Sequence, residues 1–449
     1  MDLPRPPLDL LRCPRCKADL RSAAGGYECA ECRTDFPQQG VLPCLFPEPT
    51  RTVTHWQREG QRFSELIDES VASMDEHLRR TDLLPISRTR LERTRQAHAE
   101  NGQRLANLFR KAGLFPEDRV KASDSEFSLI EYYDQILRDW AWEEDGAAEN
   151  RIACDLVADK IGSHSQLGRV LVLGAGPCRL AYDLHQRFAP ELTVALDINP
   201  LLLLAAAEVM FEGGMKLFEF PPDPTGLAAV CVDRTLSAPQ GPPERFHLVW
   251  ADAFSAPLRP GAFDTVLTPW FIDIVPTDIR DTLSLIFTLL KPGGRWLNYG
   301  PLSYPQGHNY GQRYSYDELY QLVSLATFEM SEPTITSIEY MRSKYAARGK
   351  SADVLTFSAR KPSSPAPVPE SDPPAWLLLS HLPVPRFAGL DSHKPDHPLL
   401  VYLAGLIDGK RSIADFAERM IKDHGARPDA AVTGTRAMLA LLRENVRQQ

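Results

Sequence analysis

The chain has 449 residues, 43% of them hydrophobic and 24% charged, with a net charge of -9 at pH 7. That length exceeds one ordinary core and implies two or three domains; the acidic balance and lack of a long Lys/Arg run argue against a broad nucleic-acid footprint. No apolar run reaches the roughly 20 residues of a membrane span, and MDLPRPPLDLLRCPRC lacks a secretory h-region, so a cytoplasmic protein is expected.

Residues 1–50 hold Cys13, Cys16, Cys29 and Cys32 as CPRC and CAEC, twelve residues apart, with Gly25 and Gly26 between them. Two such pairs in a reducing compartment suit a metal better than disulfides. Four thiolates satisfy a tetrahedral Zn²⁺ and leave no open position, so the expected zinc is structural. LLRCPRCKADL…YECAECRTDFPQQGVLPCLFPEP also resembles the Trm112-like ribbon, a family that attaches to or activates methyltransferases.

Residues 51–145 are charged and helix-like, with Ile67, Val71 and Met74 at helical spacing, and form a possible lid. Trp140 and Trp142 read as packing tryptophans more than as lid lining. Residues 146–361 alternate short apolar runs with amphipathic stretches, the rhythm of a parallel α/β sheet. A proline-rich linker over 362–375 leads to a C-terminal helical module over 376–449.

Within the α/β region, RVLVL (169–173) runs into GAGPCRLAYDLHQRF, a strand, a glycine turn and a helix start. Such a turn brings backbone N–H groups close to a ligand and alone fits a dinucleotide equally well. Arg179 stands where the third dinucleotide glycine would fall, and Asp197 ends the next apolar run, TVALD. These two features favour S-adenosylmethionine: Asp197 would hold the ribose, while Gly174, Ala175, Gly176 and Arg179 form the loop beside the methionine moiety. Asp252 and Ala253, after HLVW, fall where an acid recognises adenine, and LLKPGGRWLNYGP supplies a Pro-Gly-Gly turn and strand. The ordered set predicts a Rossmann-like class I methyltransferase fold with a parallel-rich sheet.

Residues 136–361 further resemble the carnosine N-methyltransferase family. The likeness rests on ILRDWAWEEDGAAEN, VLVLGAGPCRLAYDL, TPWFIDIVPTDIRDTLSLIFTLLKPGGRWLNYGPLSYP and YSYDEL. It implies N-methylation of an imidazole or related amine nitrogen on a small molecule or peptide. It also implies that Asp273 orients the ring and that Tyr340 lines the substrate pocket. The competing reading of Asp273 is a helix N-cap ahead of VPTDIRDTL. The chain departs from the family at Pro305, where the family has histidine and His308 is the nearest stand-in, and at KSAD (350–353), which replaces a tyrosine cluster.

The C-terminal HPLLVYLAGLIDGKRSIADFAERMIKDHG resembles the small PqqD-like winged helix, which grips a leader peptide. That likeness implies possible peptide or protein contact, with a plain helical packing module as the alternative. Competing functions are a methyltransferase acting on a leader-bound peptide or on RNA, and a non-catalytic cofactor-binding partner protein. The negative charge, and TPWF in place of an Asn-Pro-Pro-Tyr-like tetrapeptide, weigh against nucleic acid.

Overall fold

The computed structural model describes residues 5–447 except 116–131, 163–165, 306–307, 365, 370, 388, 391–394 and 396. Parts of the expected helical region, linker and C-terminal module therefore lie outside the described residues.

The N-terminal unit is an antiparallel meander of β1 (Leu20–Ala23), β2 (Gly26–Cys29), β3 (Asp35–Gln39) and β4 (Leu42–Pro43). Gly26 sits at φ +143°, and a Cβ there would fall 2.1 Å from the Phe36 carbonyl oxygen, so β2 can pair with β3 only through a glycine. Two long helices follow, α1 (Pro49–Leu78) and α2 (Pro85–Lys111), each opening on a proline whose missing N–H costs nothing in the first turn. The Asp75–Arg95 pair and the close approach of Gly102 to Ile67 set them as an antiparallel hairpin.

Short helices α3 (Tyr133–Trp140) and α4 (Glu149–Ile161) lead into the main sheet. β5 (Arg169–Leu173), α5 (Arg179–Phe188), β6 (Leu192–Asp197) and α6 (Pro200–Phe211) form its first βαβα unit. A hairpin of β7 (Met215–Glu219) and β8 (Val232–Leu236) is inserted before β9 (Phe246–Trp250) and β10 (Phe263–Pro269). Then come α7 (Ile279–Leu289), β11 (Leu290–Gly300), α8 (Tyr316–Leu325), β12 (Glu329–Met330), β13 (Thr334–Tyr340) and β14 (Lys350–Arg360). The sheet order is β12-β14-β11-β10-β5-β6-β9, with β13 also on β14. The β9, β6, β5, β10 and β11 run is parallel, and β14 is antiparallel to β11. This is the Rossmann-like, parallel-rich architecture the sequence predicts.

Apolar clusters cover both faces of the sheet. α6 is buried nearly all round, which accounts for a PLLLLAAAEVMF stretch with no amphipathic period. Leu10, Tyr27, Phe36 and Leu45 of the N-terminal unit join the cluster of one face, and the hairpin's Trp56, Leu105 and Phe109 join that of the other.

The C-terminal module comprises α9 (Ala375–Leu378), α10 (Pro398–Leu406), α11 (Ile413–His424) and α12 (Pro428–Arg447). α11 opens on a Ser412/Asp415 capping box and closes on Gly425 at φ +65°. The module docks on α7: Ser380 donates its N–H to Ser284 Oγ at 3.0 Å, the His381 ring stacks on Phe287 at 4.1 Å, and Arg436 pairs with Asp281. The wing of the expected winged helix is not seen among the described residues. Among the described residues the module has helices and one isolated bridge, Pro383 to Ser412, and no strand pair. No described helix is long and apolar enough to cross a membrane.

Candidate active site

The sheet order reverses between β5 and β10, which opens a crevice at their carboxyl ends. The glycine loop after β5 enters this crevice. Gly174 takes φ +67°, and a Cβ there would lie 2.5 Å from the Phe271 ring of the loop after β10. Gly176 takes φ +54° and donates its N–H to Asp197 Oδ2 at 2.8 Å, while Asn199 donates to Asp197 Oδ1 at 2.8 Å. Ala175 N–H reaches the Leu196 carbonyl at 3.1 Å. The carboxylate at the end of β6 thus fixes the glycine loop and the start of α6 together, and burial raises its pKa.

The Asn199 side chain caps α6 through Oδ1, and its Nδ2 is buried with no protein partner among the described residues. A donor left bare beside Asp197 is what a hydroxyl-rich ligand would satisfy.

α3 presses on the outer side of the glycine loop. Trp140 Nε1 donates to the Pro177 carbonyl at 2.9 Å, and Gln135 Oε1 lies 3.9 Å from where a Gly176 Cβ would be. Arg179, expected beside a cofactor, is committed to protein partners. Its guanidinium binds Asp183 at 2.8 Å, the Asp139 carbonyl at 2.9 Å, and Glu143. Its place in the fold is to clamp α3 and the turn after it onto α5, so the site draws on residues ahead of 146. Gln135 carried no signal in the sequence because nothing local tells which side of α3 meets the loop. Trp140 and Trp142 are buried, as expected of packing residues.

Asp252 follows β9 and caps its own turn, accepting from Phe254 N–H at 2.9 Å and Ser255 Oγ at 3.0 Å. Ala253 is buried behind it.

After β10 the chain turns at Trp270, which takes φ +48° and leads to Phe271, Ile272 and Asp273. Gly300, ending β11, makes the turn possible, since a Cβ there would meet Trp270 backbone at 2.9 Å. Asp273 is 1% exposed. Its Oδ2 accepts from Ser303 N–H at 2.8 Å, and its Oδ1 is buried with no protein partner among the described residues. The helix-cap reading fails: α7 is capped by Asp278, which accepts from Arg280 N–H at 2.9 Å. Burial pushes the Asp273 pKa up to about 6, against the opposing pull of Ser303 N–H and its own backbone. The result is a carboxylate with one oxygen anchored and the other free to accept.

Tyr340, at the end of β13, packs its ring 5.0 Å from Trp270, three residues ahead of Asp273 in the chain. Lys350, the first residue of the departing KSAD segment, is Tyr340's cross-strand partner, with Nζ 5.8 Å from the ring. His308 meets Tyr304 at 5.1 Å, one residue beyond Ser303, and among the described residues no hydrogen bond joins it to Asp273.

Away from the crevice, the Cys13, Cys16, Cys29 and Cys32 sulfurs all lie within 4.8 Å of one another. The Cys13–Cys32 pair is 3.7 Å apart and the Cys16–Cys29 pair 3.4 Å. Metal–sulfur bonds of about 2.3 Å in a tetrahedron place sulfurs roughly 3.8 Å apart, so the cluster is near that geometry. Cys32 N–H points at Cys29 Sγ at 3.4 Å, and the Thr34 hydroxyl lies 3.2 Å from Cys32 Sγ.

Residues 227–363 match the family model described as carnosine N-methyltransferase. A carnosine N-methyltransferase of Dictyostelium discoideum is 30% identical over 118 residues, covering 25% of this chain and 25% of that protein. The carnosine N-methyltransferase unmet of Drosophila melanogaster is 28% identical over 187 residues, 38% of this chain and 40% of that one. The chain thus spans between a quarter and two fifths of the curated relatives it matches. Among solved structures, the N-methyltransferase NodS of Bradyrhizobium japonicum aligns over 51% of this chain and 98% of its own, at 11% identity and a TM-score of 0.33. The matched family segment begins after the glycine loop and contains Asp252, Asp273, His308 and Tyr340.

Proposed function

We propose that the protein is an S-adenosylmethionine-dependent N-methyltransferase whose acceptor is an imidazole or related amine nitrogen on a small molecule or peptide. The observation that carries this reading is Asp273: a buried carboxylate with one oxygen fixed by Ser303 and the other unengaged, at the carboxyl end of β10. The match to the carnosine N-methyltransferase family model over 227–363 supports it.

The crevice fits the cofactor. The glycine loop leaves no Cβ between β5 and Phe271, Asp197 keeps lone pairs for ribose hydroxyls beside the bare Asn199 Nδ2, and Asp252 sits after β9 for the adenine amine. When bound, S-adenosylmethionine supplies an electrophilic methyl on a sulfonium. The acceptor nitrogen's lone pair would form the new N–C bond, and the electrons of the breaking S–C bond would return to sulfur. A neutral imidazole has one N–H and one free lone pair, so a carboxylate accepting the N–H aims the other nitrogen at the methyl. As the ring becomes cationic, Asp273 Oδ1 would stabilise it and take the N–H proton, which then leaves to solvent. In this reading the Trp270 and Tyr340 rings, 5.0 Å apart, would wall the site and favour that developing cation.

Tritium transfer from labelled S-adenosylmethionine to histidine, carnosine, other imidazole amines and histidine-containing peptides tests the reading. Label on an imidazole nitrogen is expected; tight cofactor binding with no imidazole labelled would overturn the acceptor assignment. Asp197→Ala is expected to weaken S-adenosylhomocysteine binding at least about 30-fold in a calorimetric titration, since it frees the glycine loop and removes the ribose acceptor at once. Undiminished affinity there would remove Asp197 from the site.

The four-cysteine cluster is proposed to hold a structural Zn²⁺. Four sulfur ligands complete a tetrahedron, so this metal would take no part in methyl transfer.

A further inference from the structure

The loop that carries Asp252 is not held by the α/β domain alone. Ahead of it, Leu45 of the ribbon donates its N–H to the Trp250 carbonyl at 2.9 Å, and Cys44 bridges Trp250 in parallel register beside the sheet edge. Behind it, Leu11 bridges Leu258 in antiparallel register: Arg12 N–H reaches the Pro257 carbonyl at 2.8 Å and Arg259 N–H the Leu10 carbonyl at 2.9 Å. Arg259 also pairs with Asp19 at 2.8 Å. Residues 250–259 are thereby stitched to the ribbon at both ends.

Lys17 reaches between these two seams. It follows Cys16 in the first knuckle and takes φ +65°, a conformation that L side chains rarely adopt, while its own N–H closes the knuckle on the Cys13 carbonyl at 2.9 Å. Its Nζ lies 3.5 Å from the Ser255 carbonyl, and Ser255 Oγ in turn donates to Asp252 Oδ2. A lysine held at positive φ beside two thiolate ligands is aimed by the knuckle rather than by its own preference.

We infer that Lys17 is a positioning residue for the cofactor site, and that the metal knuckle, through Lys17 and the two flanking seams, sets the shape of the Asp252 loop. The inference rests on the cofactor reading given above. Two consequences follow from the geometry. Metal occupancy and cofactor affinity are linked, because a knuckle without its metal no longer fixes the direction of Lys17. The effect concentrates on the base end of the cofactor, where Asp252 would read the exocyclic amine.

The test is a calorimetric titration with S-adenosylhomocysteine and with its 6-oxo analogue, S-inosylhomocysteine, against wild type, Lys17→Gly and Lys17→Arg. Glycine tolerates the positive φ, so Lys17→Gly is expected to keep one zinc per chain and its thermal midpoint. It should nevertheless bind the adenosyl ligand about tenfold more weakly and lose most of its preference for the amino over the oxo base. Lys17→Arg should recover the greater part of that preference, which a purely structural residue would not affect. Removing zinc from the wild-type chain with a chelator should reproduce the loss, and hydrogen exchange over 250–259 should quicken while β5 stays protected. A Lys17→Gly chain with unchanged affinity and unchanged base preference overturns the inference. If that variant loses its metal, wild type decides: equal exchange over 250–259 with and without zinc overturns it equally. A wild-type chain that binds neither ligand removes the cofactor reading itself, a result distinct from either.

Discussion

Asp273→Asn is expected to lower methyl transfer by roughly 10²–10⁴-fold, the span typical of acid–base groups, while leaving S-adenosylhomocysteine affinity near that of wild type. The same change is expected to stabilise the fold at neutral pH. An aspartate has an ordinary pKa of 3.8, and burial pushes that of Asp273 up to about 6. The folded state therefore holds this proton more tightly than the unfolded chain. The sign follows: below about pH 4 both states are protonated and the group costs nothing; as pH rises to about 6 the folded state loses stability; above that the cost is constant. Two pKa units correspond to about 3 kcal/mol, and at 1% exposure solvent screening removes little of it. Asparagine keeps an acceptor for Ser303 N–H without the buried charge, so its gain should be present at pH 7.5 and vanish near pH 4. Kinetics supply the second arm. The free imidazole acceptor itself protonates near pH 6.5, so wild-type kcat/KM should fall with two protons below about pH 6, and the variant with one. Equal acid slopes in the two proteins, or equal rates, would remove Asp273 from the chemistry.

The trade between activity and stability at this residue explains why the site was partly legible in the sequence. Periodicity and the glycine turn locate the strand ends, and acids at strand ends of a parallel sheet fall in one crevice by topology alone. The strand-end positions of Asp197 and Asp252 are readable for that reason, whereas Asp273 is singled out by the family resemblance. The partners of all three are not readable, because each is set by long-range packing. The freedom of Asp273 Oδ1 depends on Asp278, five residues later, taking the cap of α7. Trp270 joins Tyr340 because the β13–β14 hairpin runs past the end of β11, pairing Tyr340 with Lys350 beyond the Gly300–Leu355 register. Arg179 looked like part of the loop, yet α3 supplies the Asp139 carbonyl and the turn after it supplies Glu143 to engage it, a contact between segments about 40 residues apart. The ribbon's role at the sheet edge was equally hidden: the CxxC spacing predicts a knuckle, and nothing in it indicates that Lys17 will face Ser255.

Cys13→Ser is expected to remove stoichiometric zinc, measured by mass spectrometry of the metal, and to lower the thermal midpoint by on the order of 10 °C. Two physical effects compete over how far that damage spreads. A ribbon of this size cannot build a sufficient core of its own, which argues for complete dependence on the metal. Against this, Leu10, Tyr27, Phe36 and Leu45 are buried in the same apolar cluster as Val249, Leu258 and Phe263 of the α/β domain. Apolar burial of about 1.5–3 kcal/mol for each large side chain keeps the meander seated even without metal. The knuckles share that support only in part. Cys13 and Cys29 are buried in the same cluster, but Cys16 and Cys32 are only partly buried, and the turns rest on a few backbone bonds such as Cys13 N–H to the Ala18 carbonyl at 2.7 Å and Cys29 N–H to the Thr34 carbonyl at 3.0 Å. The expected outcome is therefore local: residues 13–19 and 30–34 should lose amide protection, while β2, β3 and the main sheet keep theirs. A Cys13→Ser chain that retains one zinc per molecule contradicts the tetrahedral site. One that unfolds throughout would mean that the metal, and not the shared apolar cluster, holds the ribbon to the sheet.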